Sequence, residues 1–196
     1  MSSTLDDMTH STASVVAVAY AGKYGSTREI AERIAEVLGE SGIDARAVPV
    51  AEVDDMSSYR AVVLGSAVYM GRWLPGAWKF VRRHRAGLST MPLWMFSSGP
   101  VGEAARHPDA AALPFRVGRA AERLSAREHR TFAGRVAPEP KGFMDRAVAR
   151  KIPADQRDAR DWDAIEAWAR GIAWQLQRPG DRPLVAAGGA RVVRRR

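Results

Sequence analysis

The sequence predicts a doubly wound α/β domain, a five-stranded parallel sheet with helices on both faces, and three observations predict it. Val15 to Ala19 is a continuous apolar, β-branched run, the pattern of a parallel strand covered on both sides. Directly after a Gly-rich turn, Ile30, Ile34, Val37 and Leu38 recur at helical spacing, with Arg28, Glu29, Glu32, Arg33 and Glu36 left for solvent. Further segments then alternate between strand and helix character, as a parallel sheet requires.

The remaining elements follow in order. Gly39 to Gly42 stops the first helix; a strand covers Ile43 to Val50, a short helical turn Val53 to Ser57, and a strong strand Arg60 to Gly65. Pro75 opens a helix carrying Trp78, Val81, Lys79, Arg82, Arg83 and Arg85. Pro92 to Phe96 is the fourth strand. The Ala- and Arg-rich stretch from Glu103 to Glu128 is broken by Pro108 and Pro114 and holds a helix over Phe115 to Arg127. Thr131 to Val136 is the fifth strand, although Gly134 weakens it. Ala137 to Pro153 is a partly helical connection. In the closing helix, Asp161 to Gln177, the residues Trp162, Ile165, Trp168, Ile172 and Leu176 form one stripe that docks on the sheet. Trp174 lies off that stripe, so either the C-terminal segment or a partner covers it.

The 196 residues, 46% apolar and 27% charged, suit one globular domain over 15–178, with a polar tail over 1–14 and a basic tail over 179–196. Asp6 and Asp7 stand where a secretion signal needs basic residues, and no apolar run approaches the ~20 residues of a membrane span, so a cytoplasmic protein is expected. The absence of cysteine excludes disulfides, thiol nucleophiles and thiolate-ligated metals, leaving any redox chemistry to a bound cofactor. His10, His84, His107 and His129 are scattered without metal-ligand spacing, and His84 and His107 read as surface residues. From Arg178 onward six Arg and one Asp carry +5 of the +8 net charge. This end reads as a solubilising tail; its charge also suits an anionic membrane surface at the inner face, and nothing indicates specific nucleic-acid binding.

Chemistry concentrates in Tyr20-Ala21-Gly22-Lys23-Tyr24-Gly25-Ser26-Thr27. A buried strand ends, small residues allow a tight turn, and a helix begins. Amides at a helix start lack intrahelical acceptors and carry partial positive charge, which suits a phosphate. Ser26 and Thr27 add hydroxyls and Lys23 adds charge. Ser26 and Glu29 also spell a Ser-x-x-Glu capping box, a purely structural role compatible with the first.

Val18, Tyr20, Gly25, Thr27, Ala31 and Ile34 resemble the flavodoxin signature, an FMN-phosphate loop running into the first helix. Gly22 departs from the Ser or Thr usual there and removes one hydroxyl; Ala19 replaces a usually larger apolar residue. The resemblance implies two further flavin loops. One is Gly65 to Trp73, with Ala67, Val68, Tyr69, Met70 and Gly71; the other is Ser97 to Gly102, with Ser98, Gly99 and Gly102. All three loops leave the carboxyl ends of strands, where open parallel sheets bind ligands. Tyr69 and Trp73 are candidates to stack on the isoalloxazine ring or, alternatively, to pack at the loop base. Gly71 and Gly99 permit close backbone approach to a ligand or simply form turns.

More narrowly, Tyr24-Gly25-Ser26-Thr27, Val68-Tyr69-Met70-Gly71 and Asp161-Trp162-Asp163-Ala164-Ile165 resemble the flavodoxin-domain group that includes quinone-dependent protoporphyrinogen dehydrogenases. That resemblance implies FMN, a small-molecule redox donor, and a quinone or redox protein as acceptor. Three readings stay open: such an enzyme, a one-electron carrier, and a flavin-free binding module. Carriers of this family are strongly acidic, whereas Lys79, Arg82, Arg83, Arg116, Arg119 and Arg123 make this chain basic near the site. Anionic substrates or surfaces fit that charge, and solvated helix faces also explain it. No catalytic side chain is expected where the flavin carries the chemistry.

Overall fold

Val16, Ala17, Val18 and Ala19 are all fully buried in β1 (Val15–Ala21), the two-sided burial that their unbroken apolar run predicts. The computed structural model describes residues 15–99, 101, 105, 114–136, 139–140 and 142–178. Both tails, His10, Gly102 and His107 lie outside the described residues.

After β1 come α1 (Ser26–Glu40), β2 (Ala45–Pro49), β3 (Tyr59–Tyr69), β4 (Arg72–Trp73), α2 (Pro75–Arg83) and α3 (Arg85–Leu88). The second half holds β5 (Leu93–Ser98), α4 (Phe115–Arg123), β6 (Glu128–Phe132), α5 (Phe143–Lys151) and α6 (Trp162–Gln177). Five strands pair in parallel in the order β2-β1-β3-β5-β6, and the two-residue β4 pairs antiparallel with β3. Strand order reverses between β1 and β3, which opens a crevice at their carboxyl ends.

Alternation along the strands divides the core in two. Val16, Val18, Val63 and Phe96 face α1 and α6; Ala17, Val62, Leu64 and Met95 face α2 and α4. The stripe on α6 docks as its spacing requires: Ile165, Trp168 and Ile172 are buried, and Trp162 and Leu176 pack at the margin. Asp161 caps this helix by accepting the Ala164 N–H at 2.9 Å. Trp174 stays 56% exposed, with the Arg178 guanidinium 3.4 Å above its ring. The first residue after α6 thus supplies its cover.

Several elements differ from expectation. The turn expected over Val53 to Ser57 is not helical, because Asp55 Oδ1 accepts the Ser57 N–H at 3.0 Å and closes a local side-chain turn instead. α4 ends at Arg123, four residues early, where Ser125 takes a positive φ of 53°. The last parallel strand is Glu128–Phe132 rather than Thr131 to Val136. Its register puts Glu128 beside Trp94 and Phe132 beside Ser98, and Gly134 then crosses closely over Gly99. The segment read as a loop after Gly65 is mostly strand: β3 runs on to Tyr69, turns through Met70 (φ 49°) and Gly71 (φ 71°), and returns as β4. Two successive positive φ values define a tight hairpin turn whose twist matches its strands, and the β-branched and aromatic residues before it extend the strand.

Candidate functional site

At the carboxyl ends of β1, β3, β5 and β6 the connecting segments enclose a cavity of ≈ 380 Å³, within the roughly 300–1,000 Å³ of small-molecule sites. Lys23, Tyr24, Ser26 and Thr27 line it from the first loop. Ala67, Val68, Tyr69 and Met70 line it from the hairpin, and Ser98 and Gly99 from the end of β5. Gly22 and Gly25 shape the first loop without lining the cavity, and Gly71 lines a neighbouring hollow. Sequence reasoning missed Leu74 and Gly134 to Val136, which also line it. The signal for the latter was Gly134 itself, a glycine at the carboxyl end of the fifth parallel strand, hidden by placing it inside that strand.

The first loop has anion-site geometry. Gly25 is the α1 N-cap at φ 90°, a conformation that disfavours a side chain, and no side chain caps the helix. The first-turn amides, which have no intrahelical acceptor, are therefore not taken by a cap. Here the expected capping box is corrected. Glu29 does not reach back to the cap; its carboxylate accepts from Arg135 Nη2 and Arg160 Nη1, each at 2.6 Å, and Ser26 Oγ accepts the Arg135 N–H at 3.1 Å. Two guanidiniums outcompete one neutral amide for the carboxylate. The segment after β6 is thereby fastened to the start of α1.

No described carboxylate lines the cavity, while Lys23 and Arg135 do, and Arg135 Nε is buried without a hydrogen-bond partner among the described residues. This donor set fits a phosphoryl group. A side chain at Gly22 would place its Cβ 3.1 Å from Thr27 Cβ, so close packing on the buried Thr27 accompanies the missing hydroxyl. The Lys23 ammonium lies 4.8 Å from the Tyr24 ring centroid and 5.0 Å from that of Tyr69, joining the first loop to the hairpin.

Tyr69 borders the cavity, but Trp73 does not. The Trp73 indole is buried and tilted against Trp78, with 5.7 Å between ring centroids. Its Nε1–H donates to the buried Ser97 Oγ at 2.8 Å, and Ser97 Oγ lies 3.0 Å from His129 Nε2. Indole can only donate, so the serine hydrogen is available to His129 when that ring carries its proton on Nδ1. Ser66 Oγ adds a second pin by accepting the Leu74 N–H at 3.1 Å. Ser97→Ala should leave the buried Trp73 Nε1–H without its acceptor and cost about 1–3 kcal/mol, read as a lower urea midpoint at unchanged m.

Gly99 makes its close approach to the chain itself, since an added Cβ would lie 3.1 Å from the Val68 carbonyl oxygen. Gly71 has open space around it and serves the turn. His84, expected at the surface, is buried, packs tilted against Phe80 with 4.8 Å between ring centroids and hydrogen-bonds the Val53 carbonyl at 3.2 Å. Among the described residues no group of His, Asp and Glu could hold a metal, and no helix is long and apolar enough to cross a membrane.

Arg160, its side chain only 4% exposed, also pairs with Asp158 at 2.5 Å. Its hydrogen bond holds the Asp158 carboxyl below the usual range, against the opposing effect of burial. A depressed folded-state pKa stabilises above the unfolded value of about 3.9 and is lost as pH falls through the folded value. Asp158→Asn should therefore flatten the wild-type loss of stability below about pH 4, measured as urea midpoints against pH.

The flavodoxin domain family matches residues 17–163 of the chain. The protein named protoporphyrinogen IX dehydrogenase [quinone] from Escherichia coli strain K12 is 26% identical over 178 residues, covering 83% of this chain and 96% of that one. Among solved structures, a flavodoxin from the domain Archaea superposes with a TM-score of 0.55 at 14% identity, over 84% of this chain and 99% of its own. A cysteine-to-serine mutant of flavodoxin from Pseudomonas aeruginosa does so with a TM-score of 0.55 at 17% identity, over 83% and 99%. The sheet order, the cavity at its switch point and a family match over most of its length agree: this chain belongs to the flavodoxin domain family, as an FMN-dependent oxidoreductase of that type.

Proposed function

We propose that the protein oxidises an organic donor of the protoporphyrinogen type and passes the electrons through FMN to a quinone. The observation that carries this reading is the match to a quinone-linked protoporphyrinogen dehydrogenase over 96% of that protein's length. The basic helices flanking the site support it, since the arginines of α2 and α4 suit an anionic donor better than a carrier's basic docking partners.

When bound, FMN supplies the hydride and single-electron chemistry of its isoalloxazine ring. The chain contributes binding, orientation and access. The Gly22 to Thr27 turn would take the phosphate with its amides and with the Ser26 and Thr27 hydroxyls. Ala67 to Met70 and Ser98 to Gly99 would flank the ring, with Gly71 setting the turn and Tyr69 at the rim. Arg135, tied to Glu29, offers further positive charge to the phosphate.

The test is anaerobic reduction of the FMN-loaded protein followed by rapid mixing with a menaquinone analogue and, separately, with an iron–sulfur protein. Fast two-electron reoxidation by the quinone, together with turnover of protoporphyrinogen, is the expected result. Indifference to quinone with rapid transfer to the iron–sulfur protein would establish a carrier instead. For the phosphate turn, Ser26→Ala combined with Thr27→Ala should weaken FMN binding by about 1–3 kcal/mol per lost hydrogen bond while leaving riboflavin, which lacks the phosphate, nearly unaffected. Equal losses for both ligands in fluorescence titrations would move the phosphate out of this turn.

A further inference from the structure

Beside the flavin cavity, on the other side of the hairpin turn, lies a second concave region between α2 and α4. One hollow of ≈ 570 Å³ is lined by Arg72, Arg82 and Arg116 with Trp78 and Phe115. An adjoining hollow of ≈ 340 Å³ shares Trp78, Arg82, Phe115 and Arg116 and adds Arg85, Arg119 and Arg123. Six guanidiniums thus border one groove. No described carboxylate lines it, and among the described residues none of the six forms an ion pair, although Arg83 on the same helix pairs with Asp54 at 3.2 Å. Glu122, the one acid of α4, is not part of the lining.

Two of these guanidiniums lie over the aromatic walls. The Arg116 guanidinium sits 5.2 Å from the Trp78 ring centroid and Arg119 5.5 Å from that of Phe115, whose side chain is 74% exposed. Six like charges repel one another, and such a field recruits anions. A simple inorganic anion would answer the charge and leave Trp78 and Phe115 uncovered. A flat membrane surface would meet the helix edges and leave the concavity empty. A molecule with apolar rings and several carboxylates matches both features, because guanidinium pairs with carboxylate in a two-pronged geometry and aromatic faces cover rings.

We propose that the groove between α2 and α4 binds a ring-bearing organic polycarboxylate, with its acid groups on the arginines and its rings against Trp78 and Phe115. Resting on the reading of the protein as a dehydrogenase of such a donor, this assigns where the donor's acid groups are held. Met70 lines the flavin cavity while the next two residues, Gly71 and Arg72, line the groove, so a large ligand anchored in the groove reaches the cavity across a single turn.

The test uses the FMN-loaded full chain with protoporphyrin IX and, in the same detergent, its uncharged dimethyl ester, followed by the porphyrin absorption shift. The free acid should bind at least tenfold more tightly than the ester, and more weakly as salt rises. Arg82→Gln combined with Arg116→Gln should lose at least tenfold toward the acid, with ester and FMN binding unchanged. Equal binding of acid and ester, or an unaltered double variant, would overturn the proposal. So would sedimentation with phosphatidylglycerol vesicles that the double variant abolishes while porphyrin binding persists, which would make the groove a membrane contact. A chain that binds the porphyrin through these arginines yet refuses FMN would sink the redox reading and leave the groove standing.

Discussion

Gly65→Ala should destabilise the protein by about 3 kcal/mol or more, at the upper end of what overpacking a core costs. The added methyl would fall 2.0 Å and 2.2 Å from two ring atoms of Phe96 on the neighbouring strand. Phe96 is fully buried, and its ring meets Phe132 at 6.1 Å and Trp168 at 6.2 Å, so it cannot swing away without disturbing the α6 side of the core. The urea midpoint should drop at nearly constant m. Adding Phe96→Leu should restore part of the loss, a coupling that separates a local clash from a general intolerance of strand changes. A midpoint within experimental error of wild type would mean that the aromatic cluster repacks at little cost.

Glu29→Ala is the second large effect. This carboxylate is the shared partner of Arg135 and Arg160; its loss takes from Arg135 the carboxylate it pairs with and leaves the nearly buried Arg160 with Asp158 alone. Breaking a fully buried pair costs roughly 3–5 kcal/mol; because Asp158 stays on Arg160 and the Glu29 side chain is 31% exposed, the loss should not exceed the lower end of that range. The consequence is also functional. Arg135 lines the cavity and is held against α1 by Glu29 and Ser26, so FMN affinity should fall along with stability, whereas Ser97→Ala should lower stability with a smaller effect on FMN. Parallel denaturation and FMN titrations of the two variants check this; undiminished FMN binding by folded Glu29→Ala would remove Arg135 from the site.

The parallel core was legible because its signals are local and periodic. Val15 to Ala19, the α1 spacing and the α6 stripe each declare the face they bury, and the turn from Gly22 to Thr27 follows from a strand running into a helix. What escaped depends on partners distant in sequence. Ser26 and Glu29 read as a cap, but Arg135 and Arg160, more than a hundred residues away, claim both side chains. Trp73 read equally as a flavin stacker or as packing at the loop base, and β4, folding back along β3, carries its indole to Ser97. His84 looked exposed within a run of arginines, yet it is buried against the Val53 carbonyl, 31 residues earlier, at 3.2 Å. In each case the local motif left the partner undetermined, and the tertiary fold decided it.

The hairpin at the end of β3 is anchored at its base by Ser66 and Trp73, and its tip is a shared partition between two chambers. A partition common to both makes their sizes interdependent: any insertion or shortening there enlarges one room at the expense of the other. Swapping this turn among relatives should consequently alter donor preference and flavin retention together, and no tuning of one would leave the other untouched.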